Sequence, residues 1–93
     1  MFVGVLEVSF QIPAANSLKD KRKIVKSIKD RIQHRFNISL AETEGQSTWR
    51  LCSLAAAMVA NQKIAIERDL NRIIDLIESV PEINLTDQFI EYY

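Results

Sequence analysis

One cysteine, one histidine, two glycines and two prolines are all that these 93 residues hold of those types. Each shortage removes a class of function. Cys52, being alone, cannot close an internal disulfide, which suits a reduced, cytoplasmic setting. Gly4 and Gly45 are too few and too far apart for either familiar phosphate-cradling loop. Nucleophilic catalysis by Cys or Ser needs a neighbouring base, usually His. His34 falls on the polar side of a helical segment, and nothing in the sequence brings it to Cys52. Cys52 therefore reads as a small strand hydrophobe and His34 as a solvated helix residue. A metal site wants several ligands at short spacing; Glu42 and Glu44 share one strand face on this reading and have no further ligand beside them. No catalytic residue, metal or cofactor is expected, and the chain is not read as an enzyme. Long hydrophobic runs are missing too. The opening stretch MFVGVLEVSFQI is broken by Glu7, Ser9 and Gln11, so it is neither a signal peptide nor a membrane span.

Net charge is also absent: twelve Lys/Arg balance twelve Asp/Glu. The balance hides a segregation along the chain. From Ser17 to Phe36 there are eight Lys/Arg and only two acids, Asp20 and Asp30. From Asn37 to the end there are four Lys/Arg and nine acids.

What is present is the patterning of one domain covering residues 1–93. Hydrophobic residues make up 47% and charged residues 26%, which excludes a disordered chain. Phe2, Leu6, Val8, Phe10 and Ile12 alternate with Val3, Val5, Glu7, Ser9 and Gln11, the period of a half-buried strand. Pro13 ends it. Asn16 or Ser17 can cap a helix in which Leu18, Val25, Ile28, Ile32 and Phe36 share one arc. Lys21 falls inside that arc and is expected to snorkel. Ile38 to Thr43 reads as a second strand, 44–47 as a turn, and Trp49 to Ala60 as a third strand. Asn61 can cap a second helix with Ile66, Leu70, Ile73, Ile74, Ile77 and Val80 on one face, closed by Pro81. A last strand, from Ile83 to a fraying Tyr92-Tyr93, completes the order β-α-β-β-α-β. That order predicts an α+β, ferredoxin-like two-layer sandwich, an antiparallel sheet with both helices on one face.

The segments VGVLEV (Val3 to Val8), SLKDKR (Ser17 to Arg22) and RFNISLAE (Arg35 to Glu42), followed by Gln46 and Trp49, resemble the YlxP-like family of small bacterial proteins. The resemblance covers nearly the whole chain. It implies a ferredoxin-like fold, a genomic association with translation and ribosome-maturation factors, and no established activity. The family pattern leads one to expect an acid after Gln46. Ser47 stands there, so no role is carried onto that loop.

Some ferredoxin-like folds hydrolyse acyl phosphates with an arginine and backbone amides in the first strand-helix loop. Here that loop is Pro13-Ala14-Ala15-Asn16, without Arg or Gly. Others stack RNA bases on sheet aromatics, but the first strand's odd face is Val3, Val5, Glu7 and Ser9, and the third strand has no aromatic after Trp49.

The basic helix remains. At about 100° per residue, Lys19, Arg22, Lys23, Lys26 and Lys29 occupy an arc of about 120°, a ridge at spacings of three and four. Arg31 and Arg35 sit at the other margin and are expected to pair with acids of neighbouring elements. The second helix is an internal control, because its polar side mixes Glu67, Arg68, Arg72, Asp75 and Glu78. A row of five cations suits a phosphate backbone. The sequence thus predicts a non-catalytic accessory protein that contacts ribosomal RNA or a ribosome-associated partner through Lys19, Arg22, Lys23, Lys26 and Lys29. The alternative is an oligomeric structural or regulatory binding module. A two-layer sandwich leaves one sheet face open, and Val3, Val5, Ala55, Ala57 and Val59 would make it apolar, favouring homo-oligomers joined sheet face to sheet face. No membrane contact is expected, since the apolar side of the first helix is needed for the core.

Overall fold

The computed structural model describes residues 1–44 and 50–93. The expected turn at 44–47 and the expected start of a strand at Trp49 fall on or beyond the edge of the described residues. Six elements follow in the order β1 (Phe2–Gln11), α1 (Leu18–Arg35), β2 (Ser39–Glu44), β3 (Leu51–Ala60), α2 (Lys63–Glu78) and β4 (Asn84–Tyr92). The four strands form one antiparallel sheet in the order β2-β3-β1-β4. Leu6, Val8 and Phe10 of β1 and Cys52, Leu54 and Ala56 of β3 face the helices, where they pack with Val25, Ile28 and Ile32 of α1 and Ile66, Leu70, Ile73 and Ile77 of α2. This is the expected ferredoxin-like sandwich, with the core in a single layer between sheet and helices.

Local chemistry explains the boundaries. Ser17 caps α1: its Oγ accepts from the Asp20 backbone N–H at 3.1 Å, and Asp20 Oδ2 accepts from the Asn16 N–H at 3.1 Å. One donor that the helix leaves open, the Asp20 N–H, is thereby satisfied along with the N–H just before the cap, and Asp20 also places a negative charge in the first turn, where the helix dipole favours it. The expected cap of α2 is corrected. Gln62, not Asn61, is the N-cap residue, and its side chain makes no capping hydrogen bond. Lys63 Nζ instead lies 4.4 Å from the centroid of the Tyr92 ring, tying the start of α2 to β4. At the other end Ser79 closes α2: its N–H donates to Asp75 O at 3.1 Å and to Leu76 O at 3.2 Å, and its Oγ donates to Leu76 O at 2.6 Å. Nor does the end of β4 fray. Tyr93 N–H donates to Val3 O at 2.8 Å, and Val3 N–H donates to Tyr93 O at 3.3 Å.

α2 lies very close to the sheet because Gly4 lets it. A Cβ at Gly4 would stand 2.3 Å from Ile66 Cγ2 and 3.3 Å from Leu70 Cδ1. Both of these side chains are fully buried, so the space exists only while residue 4 has no side chain.

Two bulges shape the edge strands. In β4 the register with β1 shifts beside Ser9 and Phe10, and Thr86 Oγ1 donates to Ser9 O at 3.0 Å. In β2 the register with β3 shifts between Glu42 and Glu44: Glu42 pairs with Leu54, but Glu44 pairs with Ser53. The extra residue, Thr43, turns the strand over. Leu54 faces the helices and Ser53 faces away, so Glu42 and Glu44 lie on opposite sides of the sheet. The expectation that they share one face is corrected, because period-two counting fails across a bulge.

Candidate nucleic-acid interface

The 18 residues of α1 present two unlike faces. Inward are Val25, Ile28 and Ile32, and with them Lys21, which is only 2% exposed. Lys21 does not snorkel. Its Nζ lies 3.3 Å from Glu42 Oε1, on the helix-facing side of β2. A lysine in the apolar stripe is tolerated because a carboxylate waits for it on the neighbouring strand. Cys52 lies beside this pair. Burial pushes its thiol up to about 12, and the Glu42 charge and a hydrogen bond to Glu42 add to the effect. At neutral pH it is a protonated, buried side chain, far from the thiolate that nucleophilic chemistry requires. His34 lies exposed in the last turn of α1.

Outward, Lys19, Arg22, Lys23 and Lys26 are exposed, while Lys29 is half-buried on the flank of α1 that faces β2. Lys26 Nζ is 2.7 Å from Asp30 Oδ2, an exposed i,i+4 pair of small energetic weight. Among the described residues, Lys19, Arg22, Lys23 and Lys29 form no ion pair. The same is true of Arg31 and Arg35, contrary to the expectation that neighbouring acids would take them. Arg22, Lys26 and Lys29 form one wall of a groove of about 580 Å³ between α1 and β2, and the Lys21–Glu42 pair reaches its floor.

The sequence did not place Lys21 and Glu42 together, although the signal for it was present. Lys21 sits in the apolar arc, and Glu42 follows Leu40 at a spacing of two. A charge on each of two core-facing stripes asks for a partner on the other. Both residues belong to segments that carry the family resemblance, SLKDKR and RFNISLAE.

The opposite side of the molecule is the uncovered face of the sheet. Val3, Val5, Ala55, Ala57 and Val59 all point to it, as the parity of β1 and β3 requires. All but Val59, which is 60% exposed, are half-buried by their neighbours. β2 and β4 add what the central strands did not reveal. Glu44 pairs with Ser53, Asp87 with Ser9, and Glu91 with Val5, so these three acids join Glu7 on the open face. Phe89, 46% exposed, stands beside Glu7. Ser9 Oγ and Ser53 Oγ are hydrogen-bonded at 2.8 Å near the middle. Among the described residues, none of the four strands contains a Lys or Arg.

Among the described residues there is no cluster of His, Cys, Asp and Glu that could hold a metal ion, and no helix long and apolar enough to cross a membrane. A family model described as "Protein of unknown function (DUF503)" matches residues 3–89. The chain is 36% identical over 91 residues to the "Uncharacterized protein YlxP" of Bacillus subtilis (strain 168), covering 98% of this chain and 99% of that one. Among solved structures it is similar to the protein YJCS, with a TM-score of 0.60 at 10% identity over 96% of each chain. It is similar also to the de novo designed protein Foldit4, with a TM-score of 0.58 at 15% identity over 98% of this chain and 96% of that one. At such identities the likeness is one of fold alone.

Proposed function

The chain belongs to the DUF503 family, whose members bring it no assigned activity, and from its own geometry we propose that it is a non-catalytic cytoplasmic accessory protein that binds ribosomal RNA along the outer face of α1. One observation carries this reading. Among the described residues, four of the five ridge cations form no ion pair, and the four strands hold no cation. α2 also forms an ion pair of its own, Arg68–Asp69 at 3.3 Å, but its surface mixes Glu67, Asp69, Asp75 and Glu78 with its cations, whereas the α1 ridge gathers charge of one sign. Like charges at i,i+4, such as Arg22 and Lys26, oppose helix formation by a few tenths of a kcal/mol. A phosphate backbone offsets that repulsion, and it is recognised by charge and spacing without reading base edges. The sheet face is the wrong place for RNA, since Glu7, Glu44, Asp87 and Glu91 would repel it.

Fluorescence anisotropy with ribosomal RNA fragments at several salt concentrations tests the reading. For about five phosphate contacts, log K should fall against log salt with a slope of roughly −3.5 on single strands and −4.5 on duplex. Arg22→Glu with Lys26→Glu should abolish binding while leaving the fold intact, because both side chains are exposed. Arg68→Glu with Arg72→Glu on α2 is the control and should change little. Absence of wild-type binding at low salt, or equal losses from both helices, would remove α1 as an RNA surface.

A further inference from the structure

The molecule is polar from one face of the sandwich to the other. The outer face of α1 carries uncompensated positive charge on one side of the sandwich. The open face of the sheet carries Glu7, Glu44, Asp87 and Glu91 on the other, and none of these forms an ion pair among the described residues. We infer that the open sheet face of one copy receives the α1 face of a second copy, so that the free protein stacks front to back.

Three features fit this occupant. The first is sign, because four acids on the sheet meet four cations on α1, Lys19, Arg22, Lys23 and Lys29, and none of the eight forms an ion pair among the described residues. The second is length. From Lys19 to Lys29 the ridge runs about 15 Å at 1.5 Å per residue. From Asp87 to Glu91 the acids of β4 span about 13 Å at roughly 3.3 Å per residue. The third is the apolar floor between the acids. Val3, Val5, Ala55, Ala57 and Phe89 offer surface to the aliphatic stems of lysines and arginines, which lie along such a floor with their heads on the carboxylates. Packing two sheets face to face would instead bring eight carboxylates together without a cation between them. A front-to-back contact is heterologous: every copy keeps one free face of each kind, and the assembly does not close at a dimer.

Light scattering and sedimentation of the full chain test this at about 20 mM and about 300 mM salt, where the Debye length falls from roughly 20 to roughly 6 Å. In low salt the average mass should rise with concentration and pass the dimer without a plateau. In high salt association should weaken at least tenfold. Arg22→Glu with Lys26→Glu makes the helix face acidic, and Glu7→Lys with Glu91→Lys makes the sheet face basic. Each variant alone should stay monomeric in low salt, and an equimolar mixture should associate again, because each supplies the face that the other has lost. The salt dependence of the wild type requires no substitution, so the test survives if a variant fails to fold. The inference is overturned by a wild type that is monomeric at about 100 μM in low salt. It is overturned too by a helix variant that assembles like the wild type, which would mean sheet-to-sheet packing, or by a mixture that stays monomeric.

Discussion

Lys21 is where reading by residue type and reading by contact part company. Its position in the apolar arc is visible in the sequence, but its burial is not, because burial depends on Glu42 arriving from another element. Removing one member of such a pair strands the other beside the core. Lys21→Met should therefore cost about 2–4 kcal/mol, and adding Glu42→Leu should recover most of the loss; urea denaturation of the four-member mutant cycle measures both. A double variant as unstable as the single one would show that the pair does not act as a unit. Cys52 gives a second test at this scale. The unfolded thiol loses its proton near 9.0, whereas the folded one holds it to about 12. Between those values the unfolded state binds fewer protons. The stabilisation is fully present below about pH 9 and is lost as pH rises towards 12, by at most about 4 kcal/mol at 1.36 kcal/mol per pKa unit. Cys52→Ala should flatten this alkaline decline relative to the wild type when urea midpoints are compared from neutral pH to about pH 11. Equal slopes would mean that Cys52 contributes nothing to it.

At the scale of elements, the order and faces were legible in the sequence wherever periodicity ran unbroken. β1 and β3 alternate without interruption, so their open-face residues Val3, Val5, Ala55, Ala57 and Val59 could be named in advance. β2 and β4 could not be read in the same way. The bulge at Thr43 sends Glu44 to the opposite side from Glu42, and the pairing partners of β4 are set by tertiary register, not by its own pattern. The acidity of the open face was hidden for that reason: three of its four acids come from those two edge strands. The approach of α2 to β1 was equally hidden, since Gly4 looks like any strand glycine until Ile66 lies over it. Gly4→Ala should destabilise by about 1–3 kcal/mol through overpacking. Combining it with Ile66→Ala should cost less than the sum of the two single changes, as thermal melts would show. Strict additivity would mean that the helix moves aside freely.

On the scale of the whole molecule, neutrality is a result of sorting: a positive helix layer and a negative sheet cancel in the sum and not in space. RNA and a second copy would compete for the same face of α1, so each would limit the other. One feature of the sheet also governs how such a molecule comes into being. β1 is an inner strand, and all of its partners are remote in sequence, from the Gln11–Leu51 pair on one side to Gly4–Tyr92 on the other. None of its hydrogen bonds can form by local zippering. Loop-closure entropy must be met before these contacts reward it, which places this mixed α/β chain between the microsecond helical bundles and the slowest all-β folders. The strand made first has both neighbours only when β4 has been made, and until then one row of its backbone N–H and C=O groups stays open to other chains.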